Sequence, residues 1–231
     1  MHSLAGTLWA ESLIRTGRLR PAKILTTANR NFSRRNRRTP HVARCDRALG
    51  RISLAEGDTE AAGAHLAAAA ECFRDSGYLG ELAVTLTDLA EYARAAGDLD
   101  AADRYATEAI TIASPRELIP ACSSGLAARA RICADQAAAP TNTDLLFQGR
   151  DAAHAALRLT TGRHLAWHRF DALHAHAVLD LAEGIDHGWA AQADAARTRL
   201  VPPDLDPDPL ASVEQKVAAQ MAAQQEVDDA D

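Results

Sequence analysis

The chain has 231 residues, 47% of them apolar but only 4% aromatic, with 52 Ala and a net charge of −6. That is ample for a buried core in one or two domains, and it excludes a disordered chain. No stretch reaches the roughly 18 consecutive apolar residues of a membrane span, and no apolar block with a cleavage site opens the chain, so neither membrane nor export is expected.

Self-similarity organises the first half. Gly17, Gly57 and Gly97 are forty residues apart, inside TLWAESLIRTGRLRPA, ALGRISLAEGDTEAA and DLAEYARAAGDLDAA. Seven residues before each Gly stands a small residue (Ala10, Gly50, Ala90), and before it a large apolar one (Trp9, Leu49, Leu89). Five residues after each Gly comes Ala22, Ala62 or Ala102. The pattern predicts two antiparallel helices with a Gly turn, the second capped by Asp58 or Asp98. One such hairpin cannot bury its apolar stripe alone, so neighbours must stack.

On these residues the chain resembles the tetratricopeptide repeat family. The best matches are Leu49-Gly50, Gly57-Asp58, Ala62 and Ala69, then Leu86, Leu89-Ala90, Gly97-Asp98, Ala102, Ala109 and Pro115. The first repeat departs from the motif, with Arg18 in place of Asp and Asn29 in place of Ala. The period exceeds the usual ~34 residues and is similar to the lengthened repeats of sensor arms in bacterial STAND-type regulators. The resemblance implies an all-α, right-handed α-α superhelix whose first helices line a concave groove that grips a protein or peptide.

Further along, residues 117 to 134 predict another first helix, followed by a lengthened turn, DQAAAPTNTD, and a helix over about 144 to 160. A fifth pair runs from His164 to Glu183 and from Trp189 to Leu200, with Ala166, Phe170, Leu173, Ala177 and Leu181 as its expected core stripe. About five hairpins thus fill a repeat domain over 1–201. A Pro/Asp-rich connector is expected at 202–209, and a capping helix with a fraying acidic tail at 210–231. Leu210, Val213, Val217 and Met221 would cover the last hairpin, for eleven helices in all.

No Walker A loop, G-x-G-x-x-G, G-x-S-x-G or H-E-x-x-H is present, and only two lysines exist, Lys23 and Lys216. The reading is therefore non-enzymatic, with no cofactor and no metal. Four cysteines (Cys45, Cys72, Cys122, Cys133) form no Cys-x-x-Cys pair and are expected as packed thiols in the cytoplasm.

Charge is polarised: residues 1 to 50 hold eleven cations against two acids, and residues 202 to 231 hold eight acids against one base. Arg44, Arg47 and Arg51 share one side of a first helix, apart from a core stripe of Cys45, Ala48, Leu49 and Ile52, and Arg94 takes a comparable place one repeat on. Their forks suit a partner's carboxylates; a solvated face with local acids such as Asp46 explains the same residues without function. Arg30, Arg34, Arg35, Arg37 and Arg38 crowd the end of the first hairpin, where a helix dipole attracts cations but needs fewer of them. They offer nucleic acid as an alternative partner.

Six histidines (His154, His164, His168, His174, His176, His187) fall close together. His164, His168 and Asp171 are spaced for a zinc site, which leaves a metal-dependent enzyme as a minor alternative. His168 and Asp171 are better read as polar contacts in the groove. Trp9, Trp167 and Trp189 are expected in the core. The leading reading is a regulatory scaffold or sensor that engages an acidic segment through Arg44, Arg47, Arg51, Arg94, Arg37, Arg38, His168 and Asp171. Self-association through the acidic tail is a related expectation.

Overall fold

The structure is a computed structural model that describes residues 4–137, 142–201, 217, 218 and 222, the side chains from residue 6 onward. The described residues form ten α-helices and one short 3-10 turn, and no strands. They divide into two compact units, one comprising residues 1–76 with 204–231 and the other residues 77–203.

The first unit holds α1 (Leu4–Arg15), α2 (Leu19–Arg35), α3 (Thr39–Glu56) and α4 (Thr59–Asp75). Each helix packs on the next, and α1 also lies against α3. The second unit holds α5 (Leu79–Ala95), α6 (Leu99–Ala113), α7 (Ile119–Ala137), α8 (Thr143–Thr160), α9 (Ala166–Glu183) and α10 (Trp189–Leu200). Successive helices pair there too, and the odd-numbered helices pack on one another, α5 on α7 and α7 on α9.

The turns follow from backbone geometry. Gly57 and Gly97 take left-handed φ values of 83° and 81°, and the amide after each glycine bonds back to a carbonyl of the preceding helix (Asp58 to Ser53, Asp98 to Ala93, both 2.9 Å). The Asp58 and Asp98 carboxylates then accept from Ala61 and Ala101, capping α4 and α6 as the sequence predicts. Left-handed residues recur every twenty positions, at 17, 37, 57, 77, 97 and 117, and two of them are not glycine: Arg37 (φ 53°) and Glu117 (φ 54°).

Small residues set the helix spacing. Ala62, Leu66, Ala69 and Phe73 form a buried stripe on α4, and Leu66 fills the notch left by Gly50 on α3. Ala102, Ala106, Ala109 and Ala113 form the corresponding stripe on α6. In the loose first repeat, Asn29 stands where alanine is expected and is buried; Gly6 on α1 makes room for it.

The expected core stripe of α9 is shifted. Leu173 is buried, but Leu181 is 84% exposed and Ala166 is exposed. The buried face is instead Ala172, Ala175, His176 and Leu179, because Ala172, Ala175 and Leu179 join the cluster built with α7 and α8 while His176 packs on Trp189 of α10. The last turn of α9 also carries Asp180, which Arg150 of α8 holds at 2.6 Å.

Most of the expected eleventh helix, the whole 202–209 connector and the terminal QQEVDDAD lie outside the described residues. Val217, which is helical, packs on the cluster of Ala10, Leu13, Ala22, Leu25, Leu49 and Ile52 in the first unit; the expected contact was with the last hairpin. Among the described residues no helix is long and apolar enough to cross a membrane. Cys45, Cys72, Cys122 and Cys133 are all free thiols, and burial, then the Asp46 charge, push Cys45 up to about 12.

Candidate partner-binding face

In the first unit the arginine stripe of α3 meets a carboxylate of the chain itself. Arg51 donates to Glu11 of α1 at 2.6 Å, and Arg47 donates to the other oxygen of the same carboxylate. Burial alone would raise the Glu11 carboxyl, but the charges of Arg51 and Arg47, the Arg47 hydrogen bond and the Arg15 charge outweigh it. The group is held well below the usual carboxylate range. Three cations thus surround one anion, and Arg44 follows on the same side of α3. Asp46, weighed as a local partner for the stripe, is used by Arg30 of α2 at 2.6 Å and by His65 of α4 at 3.2 Å.

The second unit repeats the device. Glu91 of α5 accepts from Arg94 (3.0 Å) in its own helix and from Arg131 of α7 (3.0 Å at Nε). Arg94 also reaches Asp135 of α7 at 2.8 Å. Burial would raise Glu91, yet Arg131 and Arg94 pull it down. The second guanidinium arm of Arg131 points to the Asp171 carbonyl of α9 at 3.5 Å, so three successive odd-numbered helices are tied by one arginine.

Beside this network α9 presents aromatic rings. Trp167 meets Phe170 edge-on at 6.1 Å, and Phe170 stacks on His174 at 5.9 Å. Partial burial and the Arg131 charge lower His174, against the pull of Asp171 and Glu91. His168 is half-buried on the same helix. The face of α5, α7 and α9 is therefore a mixture of compensated charge and partly exposed rings.

The histidines do not assemble as the spacing allowed. His164, His168 and Asp171 form no ligand set, and among the described residues no three His, Cys, Asp or Glu side chains converge on one point. His176 is instead fully buried, stacked on Trp189 of α10 (4.3 Å, 16°) and touched edge-on by His154 of α8 (4.5 Å). Neither of its ring nitrogens has a hydrogen-bond partner. Burial, then the charges of His154 and Arg150, push it down to about 4, against a pull from Asp180. His187 pairs with Asp180 at 2.9 Å.

Of the remaining sequence candidates, Arg37 occupies the left-handed turn between α2 and α3, and the Arg38 guanidinium lies over the Phe32 ring at 5.8 Å. Glu11, Glu91, Arg131 and Asp135 were not singled out in the sequence. Their signal was the forty-residue register: positions 11, 51, 91, 131 and 171 read Glu, Arg, Glu, Arg, Asp. No protein-family model, curated protein or solved structure matches the chain.

Proposed function

We propose that this chain is a non-enzymatic, tetratricopeptide-like α-α solenoid of right-handed sense, working in the bacterial cytoplasm. It engages an acidic segment of a protein partner on α1 and α3 of its first unit, as a scaffold or sensor in regulation. The observation that carries this reading is the arginine cluster at Glu11, where Arg51, Arg47 and Arg15 act on one carboxylate and Arg44 shares the side of α3 that carries Arg47 and Arg51. A partner carboxylate arriving there gains charge-assisted, bidentate hydrogen bonds from guanidiniums already held in place, so little side-chain entropy is lost. The aromatic side of α9 supplies apolar contact area for a bound segment in the second unit.

A fluorescent octaglutamate peptide serves as the probe. It is expected to bind the whole chain at low salt, to weaken about tenfold when Arg44→Gln and Arg51→Gln are combined, and to weaken again as salt rises. Binding that is indifferent to both substitutions, in a variant whose circular dichroism matches the parent, overturns the reading.

A further inference from the structure

From the outer side of α2 we infer a second binding surface, for the phosphate backbone of a nucleic acid. Between Glu11 and Asp46 the sequence contains no acid and ten cations. Two of these are taken up internally, Arg30 by Asp46 and Lys23 by Glu56 at 2.6 Å. Arg20, Asn31, Arg34, Arg35, Arg37 and Arg38 are exposed.

Their placement is linear. Residues 20, 23, 27, 31 and 34 follow one another at steps of three or four, so they line one side of α2 over ~21 Å. A depression of about 540 Å³ is lined by Asn31, Arg34 and Arg35, and a second of about 360 Å³ by Lys23, Ile24, Thr27, Ala28 and Asn31. Asn31 belongs to both, which makes them one shallow track. Residues 1–76 carry thirteen cations against seven acids, whereas the chain as a whole is acidic.

The turn that ends α2 gives an independent sign. Gly17, Gly57, Gly77 and Gly97 supply the left-handed residue of their turns at no steric cost, but Arg37 holds that conformation with a full side chain. Glu117 holds the same conformation in its own turn; Arg37 differs in standing among the exposed Arg34, Arg35 and Arg38, so that its side chain adds to their charge. Helix-dipole attraction accounts for Arg34 and Arg35 in the last turn of α2; it does not account for Arg37 or Arg38 beyond it.

Phosphate fits this surface better than carboxylate does. The track sets the Thr27 hydroxyl and the Asn31 amide between Arg20 at one end and Arg34 and Arg35 at the other, over the length of three to four nucleotides, and guanidiniums pair bidentately with phosphate oxygens. The Arg38 guanidinium lies over the Phe32 ring, so among the described residues of α2 no ring is open for base stacking, and the contact is to backbone without sequence preference.

The test uses the whole chain and a labelled 20-nucleotide single-stranded DNA in fluorescence polarisation. Binding is expected at 50 mM NaCl and should weaken roughly 30-fold by 200 mM, as three to four phosphate contacts require. Combining Arg34→Gln, Arg35→Gln and Arg37→Gln should abolish it. Arg37→Gly alone should weaken it several-fold while raising the melting temperature, a divergence that a merely structural arginine would not produce. Arg44→Gln with Arg51→Gln should leave it intact, which separates this surface from the one proposed above. No DNA binding at 50 mM NaCl, equal binding by the triple variant, or octaglutamate binding on these arginines with DNA excluded, each overturns the inference.

Discussion

Arg51 of α3 contacts Glu11 of α1 at 2.6 Å, across forty residues of chain. Arg131 of α7 contacts Glu91 of α5 across the same interval. Within each unit a repeat of constant length places equivalent positions of neighbouring odd-numbered helices side by side, so Glu and Arg at one register position pair opposite charges. A one-residue slip would break every rung, which gives these pairs a role in register beyond their stabilising energy. Glu11→Gln is expected to cost about 2–3 kcal/mol, because Arg47, nearly buried, loses its carboxylate. Glu56→Gln, which removes only the exposed partner of Lys23, should stay within about 0.5 kcal/mol. Urea denaturation of the two variants measures the contrast.

Acid should destabilise the chain in two stages. The His176 pKa is lowered on folding to about 4, from an ordinary 6.5. The unfolded chain therefore binds the proton first, and stability declines as pH falls from 6.5 to 4, by on the order of 3 kcal/mol in total. Glu11 and Glu91 are also lowered, so their contribution is intact above the unfolded value of 4.5 and disappears only as pH falls through their folded values. His176 dominates the first stage, and His174, lowered in the same direction, adds to it. His176→Phe keeps a ring against Trp189 and should remove most of the slope of urea midpoints between pH 6.5 and 4, leaving His174's smaller share and the lower stage unchanged. An unaltered slope in that window would show that another group controls it.

Arg37 and Glu117 occupy left-handed turn positions that glycine fills at 17, 57, 77 and 97. A non-glycine residue there carries roughly 1 kcal/mol of steric cost, part of which glycine gives back through the entropy of the unfolded chain. Arg37→Gly and Glu117→Gly are each expected to stabilise by about 0.5–1 kcal/mol, seen as a rise in melting temperature. Additivity in the double variant follows from their separate turns. A loss of stability at either site would mean that the side chain, and not the backbone, sets the turn.

Helix boundaries were most legible at Gly57 and Gly97, where three signals coincide: a residue able to adopt positive φ, an aspartate cap, and small residues where helices touch. The alanine positions at 22, 62 and 102 are all buried, as the repeat demands. Where those signals thin out, the reading slipped. In α9 almost any face can form a stripe among so many alanines, and Leu181 lies on one that faces outward. The charged partners were harder still. The helical spacing of Arg44, Arg47 and Arg51 shows which side they share but not what stands opposite, and Glu11 is found only by adding the repeat length. His176 had no such signal, since its neighbours His154 and Trp189 come from two other helices and no sequence spacing joins them.

Gly50 and Gly80 test the packing most directly, because both lie in helices and need no special φ. A methyl group on Gly50 would meet the Leu66 side chain at 2.6 Å and the Ala62 carbonyl at 3.2 Å. Leu66 is itself fully buried and the Ala62 contact is backbone, so the strain has little room to relax. Gly50→Ala should therefore cost about 1–3 kcal/mol, even though alanine is the better helix former. A methyl on Gly80 would find only Leu118 at 3.7 Å, an ordinary contact. Gly80→Ala should be neutral or stabilising by up to about 0.5 kcal/mol. If both substitutions stabilise, the close approach of α3 and α4 at Gly50 is looser than the geometry gives; if both destabilise, α5 packs more tightly near its start than Leu118 alone accounts for.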